Sequence, residues 1–353
     1  MDKKTKKRNY TSKEVAEMAG VSQSTVSRVF AGGANVSEKK RKKILEVADR
    51  LNYMPNAHAR SLITRKSMMI GIVMRNMRNP FYSEVLEIFH NRLSALGYHL
   101  IFINSNNEEI QESEITQLLE YSVDGVIITD ALLSSPASDR LKRYGIAVVL
   151  FNRYTEHLAS SAVFCDNYLA AKQIAAYLVD IGHRSFAFIS GPSDTSTTID
   201  RLRGFREVLD KRRIGKFVIE PGSYTYESGF RSAQELLTKN TGIDCIFCGN
   251  DIIALGVMDA LRVIGFKIPK DISVIGFDNI RMGAWASYSL TTWEQPVEDM
   301  VDATVKVLLR EIKDKTLPPQ VITMKGRLIV RNSVRPAIQD VKPRTRGRQT
   351  GKK

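Results

Sequence analysis

The chain of 353 residues is 43% hydrophobic and carries a net charge of +14, long enough for two or three domains with sizeable cores. It has no run of 18 or more apolar residues, which excludes a membrane-spanning helix. The N-terminus "MDKKTKKRNYTSKE" has a signal peptide's charges but no apolar segment after them, so the protein is expected in the cytoplasm. The charge is uneven: residues 1–66 hold 16 Lys/Arg against 6 Asp/Glu, residues 341–353 hold 6 against none, and the 274 residues between hold 30 against 32. A basic head on a neutral body points to a polyanion, most often nucleic acid. The tail "VKPRTRGRQTGKK" has nothing to build a core from and is expected to be disordered.

Residues 11–30, "TSKEVAEMAGVSQSTVSRVF", hold two short helical periods around Gly20. Ser12 is placed to cap the first helix; Val15 and Ala19 share a face, and Ala16 is small enough for a close crossing. Gly20 suits a tight turn that a Cβ would obstruct. Ser22 is placed to cap the second helix, whose inward pair is Val26 and Val29. This is helix-turn-helix spacing. A third helix spans "SEKKRKKILEVADRLNY", with Ser37 as its cap and Ile44, Leu45, Ala48 and Leu51 as its apolar stripe. The second helix is thus anchored by two valines and presents Ser22, Gln23, Ser24, Ser27 and Arg28 outward. A merely solubilising face would use Glu and Lys. Compact hydroxyls, an amide and a guanidinium suit base edges in a major groove, Arg favouring guanine and Gln favouring adenine. A helical hairpin with a polar exterior is the bland alternative, and it leaves the surrounding basic charge unexplained. After Pro55, "NAHARSL" is a weak helix with little to bury and on its own reads as a flexible linker.

From residue 67 apolar runs alternate with helical periods. "MMIGIVM", "YHLIFIN", "DGVIIT" and "IAVVLFN" predict buried parallel strands, with helices such as "FYSEVLEIFHNRLSALG" between them. A second series follows in "SFAFISG", "KFVIEPG", "DCIFCGN" and "ISVIGFD". The expected fold is therefore an all-α head followed by an α/β body of two doubly wound parallel-sheet subdomains. Polar residues and one glycine cluster after the strand ends, at Asn76, Asn104, Asp130, Asn152, Gly191, Asn250 and Asp278, where open α/β sheets bind ligands. Neither a phosphate loop nor a nucleophile elbow is present. Five histidines, at 58, 90, 99, 157 and 183, lack metal-ligand spacing, and His183 suits a structural turn. Of the three cysteines, Cys245 and Cys248 sit three apart on one strand and point to opposite faces, so all three read as core. No catalytic constellation, metal or cofactor is expected.

The stretch from "VAEMAGVSQSTVSRVF" to "NAHARSL" strongly resembles the DNA-binding head of the LacI/GalR family of bacterial transcriptional regulators. "NPFYSEVLEIF", "GHRSFAFISGPSD", "RLRGFREVL", "CGNDIIALGVMDALRVIGF" and "LTTWEQP" carry the resemblance through the body to about residue 335. It implies a helix-turn-helix head over 1–54, a hinge helix or linker over 55–66, a two-lobed effector-binding and dimerisation domain over 67–340, and a basic tail over 341–353. By the same resemblance Gln23 and Ser24 occupy the variable base-reading positions, followed by Arg28. Ser22, Thr25 and Ser27 meet phosphates, and Tyr53 and Asn56 touch the backbone. Ala59 lies where two subunits' hinge helices approach, and Leu62 wedges into a minor-groove step.

In the cleft, the resemblance places Phe81 and Tyr82 beside the first strand and Asn152 and Arg153 after the fourth. It makes Arg201 the main donor, Tyr224 a stacking residue, Asn250 an amide contact and Asp278 the carboxylate that accepts from hydroxyls or amines. Together these imply a sugar or sugar derivative. Thr195 stands where purine-binding members have arginine, which argues against a purine, and Asp251 is a candidate helix cap. The implied partners are double-stranded operator DNA with a pseudo-palindromic site, a small effector, and a second copy of the chain. A homodimer is expected because the tail lacks the leucine heptads of tetrameric members. A solute-binding protein of the same fold is the alternative; the head and the missing signal peptide argue against it.

Overall fold

The computed structural model describes residues 10–30, 36–54, 66–75, 77–105, 109–130, 133–155, 160–239 and 242–336, which fall into two compact units. The smaller holds α1 (Ser12–Ala19), α2 (Gln23–Phe30) and α3 (Glu38–Arg50). Its core is made of Val15, Ala16, Ala19, Val26, Val29, Ile44, Val47 and Ala48. Thr11, one residue before the expected Ser12, caps α1. Its hydroxyl accepts from the Glu14 amide at 3.3 Å while the Glu14 carboxylate accepts from the Thr11 amide at 2.8 Å, a reciprocal box that a serine inside the helix cannot form. Gly20 ends α1 in the left-handed region at φ 67°, as the tight turn requires. Ser37 precedes α3 but makes no side-chain cap bond. Leu45 does not join the stripe either: it is 45% exposed, and Val47 is buried instead. The inward positions are 44, 47, 48 and 51, the i, i+3, i+4, i+7 set, and Leu45 falls off that face.

The larger unit contains two six-stranded sheets. The first, in the order β11-β5-β4-β3-β1-β2, comprises β1 (Met69–Met74), β2 (His99–Asn104), β3 (Gly125–Ile128), β4 (Ala147–Phe151), β5 (Ser161–Cys165) and β11 (Val321–Met324). The second, β12-β10-β9-β8-β6-β7, comprises β6 (Ser185–Ile189), β7 (Lys216–Glu220), β8 (Cys245–Cys248), β9 (Ser273–Asp278), β10 (Thr291–Glu294) and β12 (Arg327–Ile329). Pairing runs parallel from β11 to β1 and from β10 to β7, and β12 closes its edge antiparallel to β10. The first lobe carries α4 (Pro80–Ala95), α5 (Glu112–Glu120) and α6 (Ser135–Arg143); the second carries α7 (Asn167–Asp180), α8 (Ser196–Lys211), α9 (Tyr226–Lys239) and α10 (Asp251–Ile264). The last helix, α11 (Val297–Lys313), returns to the first lobe and packs on β3, β4, β5 and α4. The chain therefore passes between lobes three times, after β5, after β10 and after β11.

Two of the eight expected strands are not buried. β2 and β7 are edge strands with one neighbour each, and their side chains are largely half-exposed. Three further strands, β5, β10 and β11, are too short and too flanked by polar residues to stand out in the sequence. In the second lobe α9 and α10 meet backbone to backbone: a Cβ on Gly229 would lie 2.2 Å from the Ile253 carbonyl, and one on Gly256 would lie 2.1 Å from that of Tyr226. Cys165, Cys245 and Cys248 are buried free thiols. Burial pushes Cys165 up to about 11 and the other two well above their ordinary value.

Candidate functional site

The head presents one coherent polar face. With Val26 and Val29 turned inward, α2 leaves Gln23, Ser24, Ser27 and Arg28 exposed and Thr25 half-exposed, with Ser22 exposed just before it. Ser22 Oγ lies 2.9 Å from Ser24 Oγ and 2.8 Å from Thr25 Oγ1, and it accepts from the Thr25 amide at 3.3 Å. Three hydroxyls are thereby gathered at the start of α2, whose free amides and dipole favour an anion. Ser12, which does not cap α1, accepts from Gln23 Nε2 at 2.9 Å and holds that amide. Tyr53 is half-buried, its ring edge-on to Phe30 at 5.7 Å on the margin of the core. Asn56, Ala59 and Leu62 lie outside the described residues.

The expected cleft residues sort into three groups. Tyr82, Arg153 and Tyr224 line one cavity between the lobes, of about 280 Å³, together with Arg75, Arg78 and Asp130. Phe81 and Asp278 line a larger one of about 690 Å³, with Glu84, Arg281, Glu294 and Gln295. Asn152, Arg201 and Asn250 line neither. Asn152 sits behind the smaller cavity, its backbone at φ 67° and its Nδ2 donating to Tyr82 Oη at 3.2 Å. Arg201 is buried and occupied: Nε donates to Asn167 Oδ1 at 2.8 Å, Nη1 donates to the Gly249 carbonyl, and the guanidinium lies 3.5 Å from the Phe277 ring centroid. Asn250 Oδ1 accepts from the Ile253 amide at 3.1 Å and caps α10. The cap thus falls to Asn250, and Asp251, one residue inside the helix, turns into the lobe instead. There it accepts from Thr292 Oγ1 at 2.5 Å and from the Ile280 amide at 2.9 Å.

Electrostatics separates the two cavities. Asp278 accepts from Gln295 Nε2 at 2.7 Å. Burial pushes its carboxyl up to about 7, a rise opposed by the Arg201 charge and reinforced by Asp251. Asp251 itself is pushed to about 6, again by burial. In the smaller cavity Arg153 stands 9% exposed; Nη1 donates to the Asp130 carbonyl at 2.5 Å, and the guanidinium lies 5.8 Å from the Tyr224 ring. The Tyr224 hydroxyl is hydrogen-bonded with Thr197 and Thr198 at 2.9 and 2.8 Å. Burial also raises the Tyr82 phenol above its ordinary range, so it stays a neutral donor.

Residues 67–324 match the family described as periplasmic binding proteins and sugar binding domain of the LacI family, and residues 11–56 match the bacterial regulatory proteins of the lacI family. The chain belongs to the LacI family. It is 30% identical to catabolite control protein A of Priestia megaterium, over 93% of this chain and all of that one. It is 32% identical to the HTH-type transcriptional repressor PurR of Vibrio vulnificus, over 92% of this chain and 98% of that one. Its fold matches that of a transcriptional regulator CelR–cellobiose complex with a TM-score of 0.69 and 28% identity, over 92% of this chain and all of the other. As a LacI-family protein the chain is a DNA-binding transcriptional regulator, and the reading as a bare solute-binding protein falls away. Within its cleft, sequence reasoning passed over Arg75 and Arg78, which precede α4. The signal was available: Arg75 directly follows β1, a strand end at which only its neighbour Asn76 drew notice. Gln295, which holds Asp278, lay unremarked in "LTTWEQP".

Proposed function

We propose that this LacI-family regulator is a repressor that binds a pseudo-palindromic operator as a homodimer, one head per half-site, and is controlled by a small sugar-like effector held between its lobes. The exposed face of α2 carries the DNA half of this reading: hydroxyls, an amide and a guanidinium on a helix fixed from behind by Val26 and Val29. Gln23, Ser24 and Arg28 read bases, while Ser22, Thr25 and Ser27 meet phosphates. Tyr53 and Asn56 add backbone contacts, and the segment 55–66 acts as a hinge through Ala59 and Leu62. The heads span 1–54, the effector and dimerisation domain 67–340, and the basic tail 341–353. Effector binding closes the lobes and shifts the two heads relative to each other; the work is binding, with no catalysis.

A gel shift on DNA upstream of the protein's own gene tests the reading. Arg28→Ala weakens operator binding by about 1–3 kcal/mol per half-site and relaxes preference at one base pair. Replacing Lys3 or Lys4 weakens binding to every sequence and flattens its salt dependence. Equal losses on operator and random DNA for Arg28→Ala would overturn the base-reading assignment.

A further inference from the structure

The smaller cavity is built for an anion. Three guanidiniums line it, Arg75 after β1, Arg78 before α4 and Arg153 after β4, against one carboxylate, Asp130. Arg153 is nine-tenths buried and keeps its charge at any physiological pH. Its Nη1 has only a backbone carbonyl as acceptor, and its Nε has no hydrogen-bond partner. A buried guanidinium with one neutral acceptor and an aromatic ring nearby is poorly compensated. An anionic group supplies what it lacks. From the other lobe, Ser223, Tyr224 and Thr225 border the same cavity immediately before α9, whose N-terminal dipole adds to the positive field.

Two of the acceptors expected for the hydroxyls of a neutral sugar are not in this cavity. Asp278 belongs to the other cavity, and the Asn250 oxygen is taken by the cap of α10. Only Asp130 remains as an acidic acceptor here. At about 280 Å³ the space is also at the small end of ligand pockets, which begin near ~300 Å³, and it suits one sugar ring better than two.

We propose that the effector is a phosphorylated monosaccharide whose phosphate is held by Arg75, Arg78 and Arg153. A phosphate monoester presents three terminal oxygens to three guanidiniums, two from the loop between β1 and α4 and one from the loop after β4, where a carboxylate offers two, and the planar fork of arginine matches phosphate geometry. The proposal rests on the cleft between the lobes being the effector site.

The test is calorimetry and thermal melting of the full chain with matched pairs: ribose and ribose 5-phosphate, glucose and glucose 6-phosphate, fructose and fructose 6-phosphate. Gluconate represents carboxylates, and inorganic phosphate is compared with chloride at equal ionic strength. The expected result is stabilisation by inorganic phosphate over chloride and an ester that binds at least tenfold more tightly than its neutral parent. Arg78→Gln, at an exposed position that leaves the fold intact, lowers ester affinity about tenfold to a hundredfold, one charge-assisted contact's worth, and leaves the parent sugar unaffected. A neutral sugar that binds as tightly as its ester, a response to gluconate alone, or no stabilisation by any phosphate-bearing compound would each overturn it. Operator binding is scored in parallel by gel shift. If it persists while the phosphate arm fails, the regulatory reading stands and only the anion assignment falls.

Discussion

Replacing Asp278 by Asn isolates the cost of a buried carboxylate. Asp278 is 6% exposed and its carboxyl is pushed from 3.8 to about 7, with burial the largest cause. The folded state therefore holds a proton that the unfolded chain has already released above about pH 4. Stability is fully present below that point, declines as pH rises through about 7, and levels off only once the folded carboxyl has ionised. Three pH units at 1.36 kcal/mol each set a ceiling of about 4 kcal/mol on the loss. Asn retains an oxygen for the Gln295 amide and carries no charge. Arg201 is not orphaned by the change, because Asn167, the Gly249 carbonyl and the Phe277 ring engage it. Asp278→Asn thus matches the parent near pH 4.5 and exceeds it progressively up to pH 8, by several degrees in Tm at about 2 °C per kcal/mol. Melting of both proteins across that range measures the difference, and curves that stay parallel would refute a buried, high-pKa carboxylate.

Leu62→Ala is expected to lower operator affinity in a gel shift while effector affinity, measured by calorimetry, stays unchanged; a loss of both would remove Leu62 from the hinge role. Asn250→Ala should cost about 1 kcal/mol in thermal or denaturant unfolding, the usual worth of a helix cap, with effector affinity within about twofold of the parent. A loss of tenfold or more would instead make Asn250 a ligand contact. Gly256→Ala forces α9 and α10 apart, since its Cβ would meet the Tyr226 carbonyl at 2.1 Å. Unfolding should show a loss of about 1–3 kcal/mol or more, and an unchanged midpoint would mean that the helices separate freely.

Most of the architecture was legible because it depends on patterns that tertiary context seldom overrides. Val15, Ala19, Val26 and Val29 mark the head by spacing alone, and continuous apolar runs mark the central strands. Caps were less legible: Thr11 and Ser12 are both hydroxyl residues, and only the position of Glu14 three residues on from Thr11 distinguishes them. Leu45 and Val47 stand about 160° apart around α3, two steps of about 100° each, and which of them turns inward follows from where Ile44, Ala48 and Leu51 set the face. Edge strands β2 and β7 carry nearly the same apolar density as buried ones, so their exposure follows from strand order, which no local pattern encodes. The cleft was legible as a set of strand ends but not as two cavities. Whether Phe81 and Tyr82, adjacent on α4, face the same space depends on helix rotation, and the structure sends them to different ones.

The three passages between lobes bear on how the protein is made. The second lobe is drawn almost entirely from one stretch, residues 167–294, while the first is missing α11 and its edge strand β11 until residue 324 has been synthesised. On the ribosome the lobe begun first is therefore the lobe finished last. Its β3, β4 and β5 await the helix that covers one face, so apolar strand surface stays open to chaperones or to neighbouring chains. Truncation before residue 324 consequently damages the lobe nearest the N-terminus in sequence, and neither lobe can be excised as a single continuous fragment. A circular permutant opened near residue 166 would place all of the first lobe's pieces closer together in time, and its yield would report how much that delay matters.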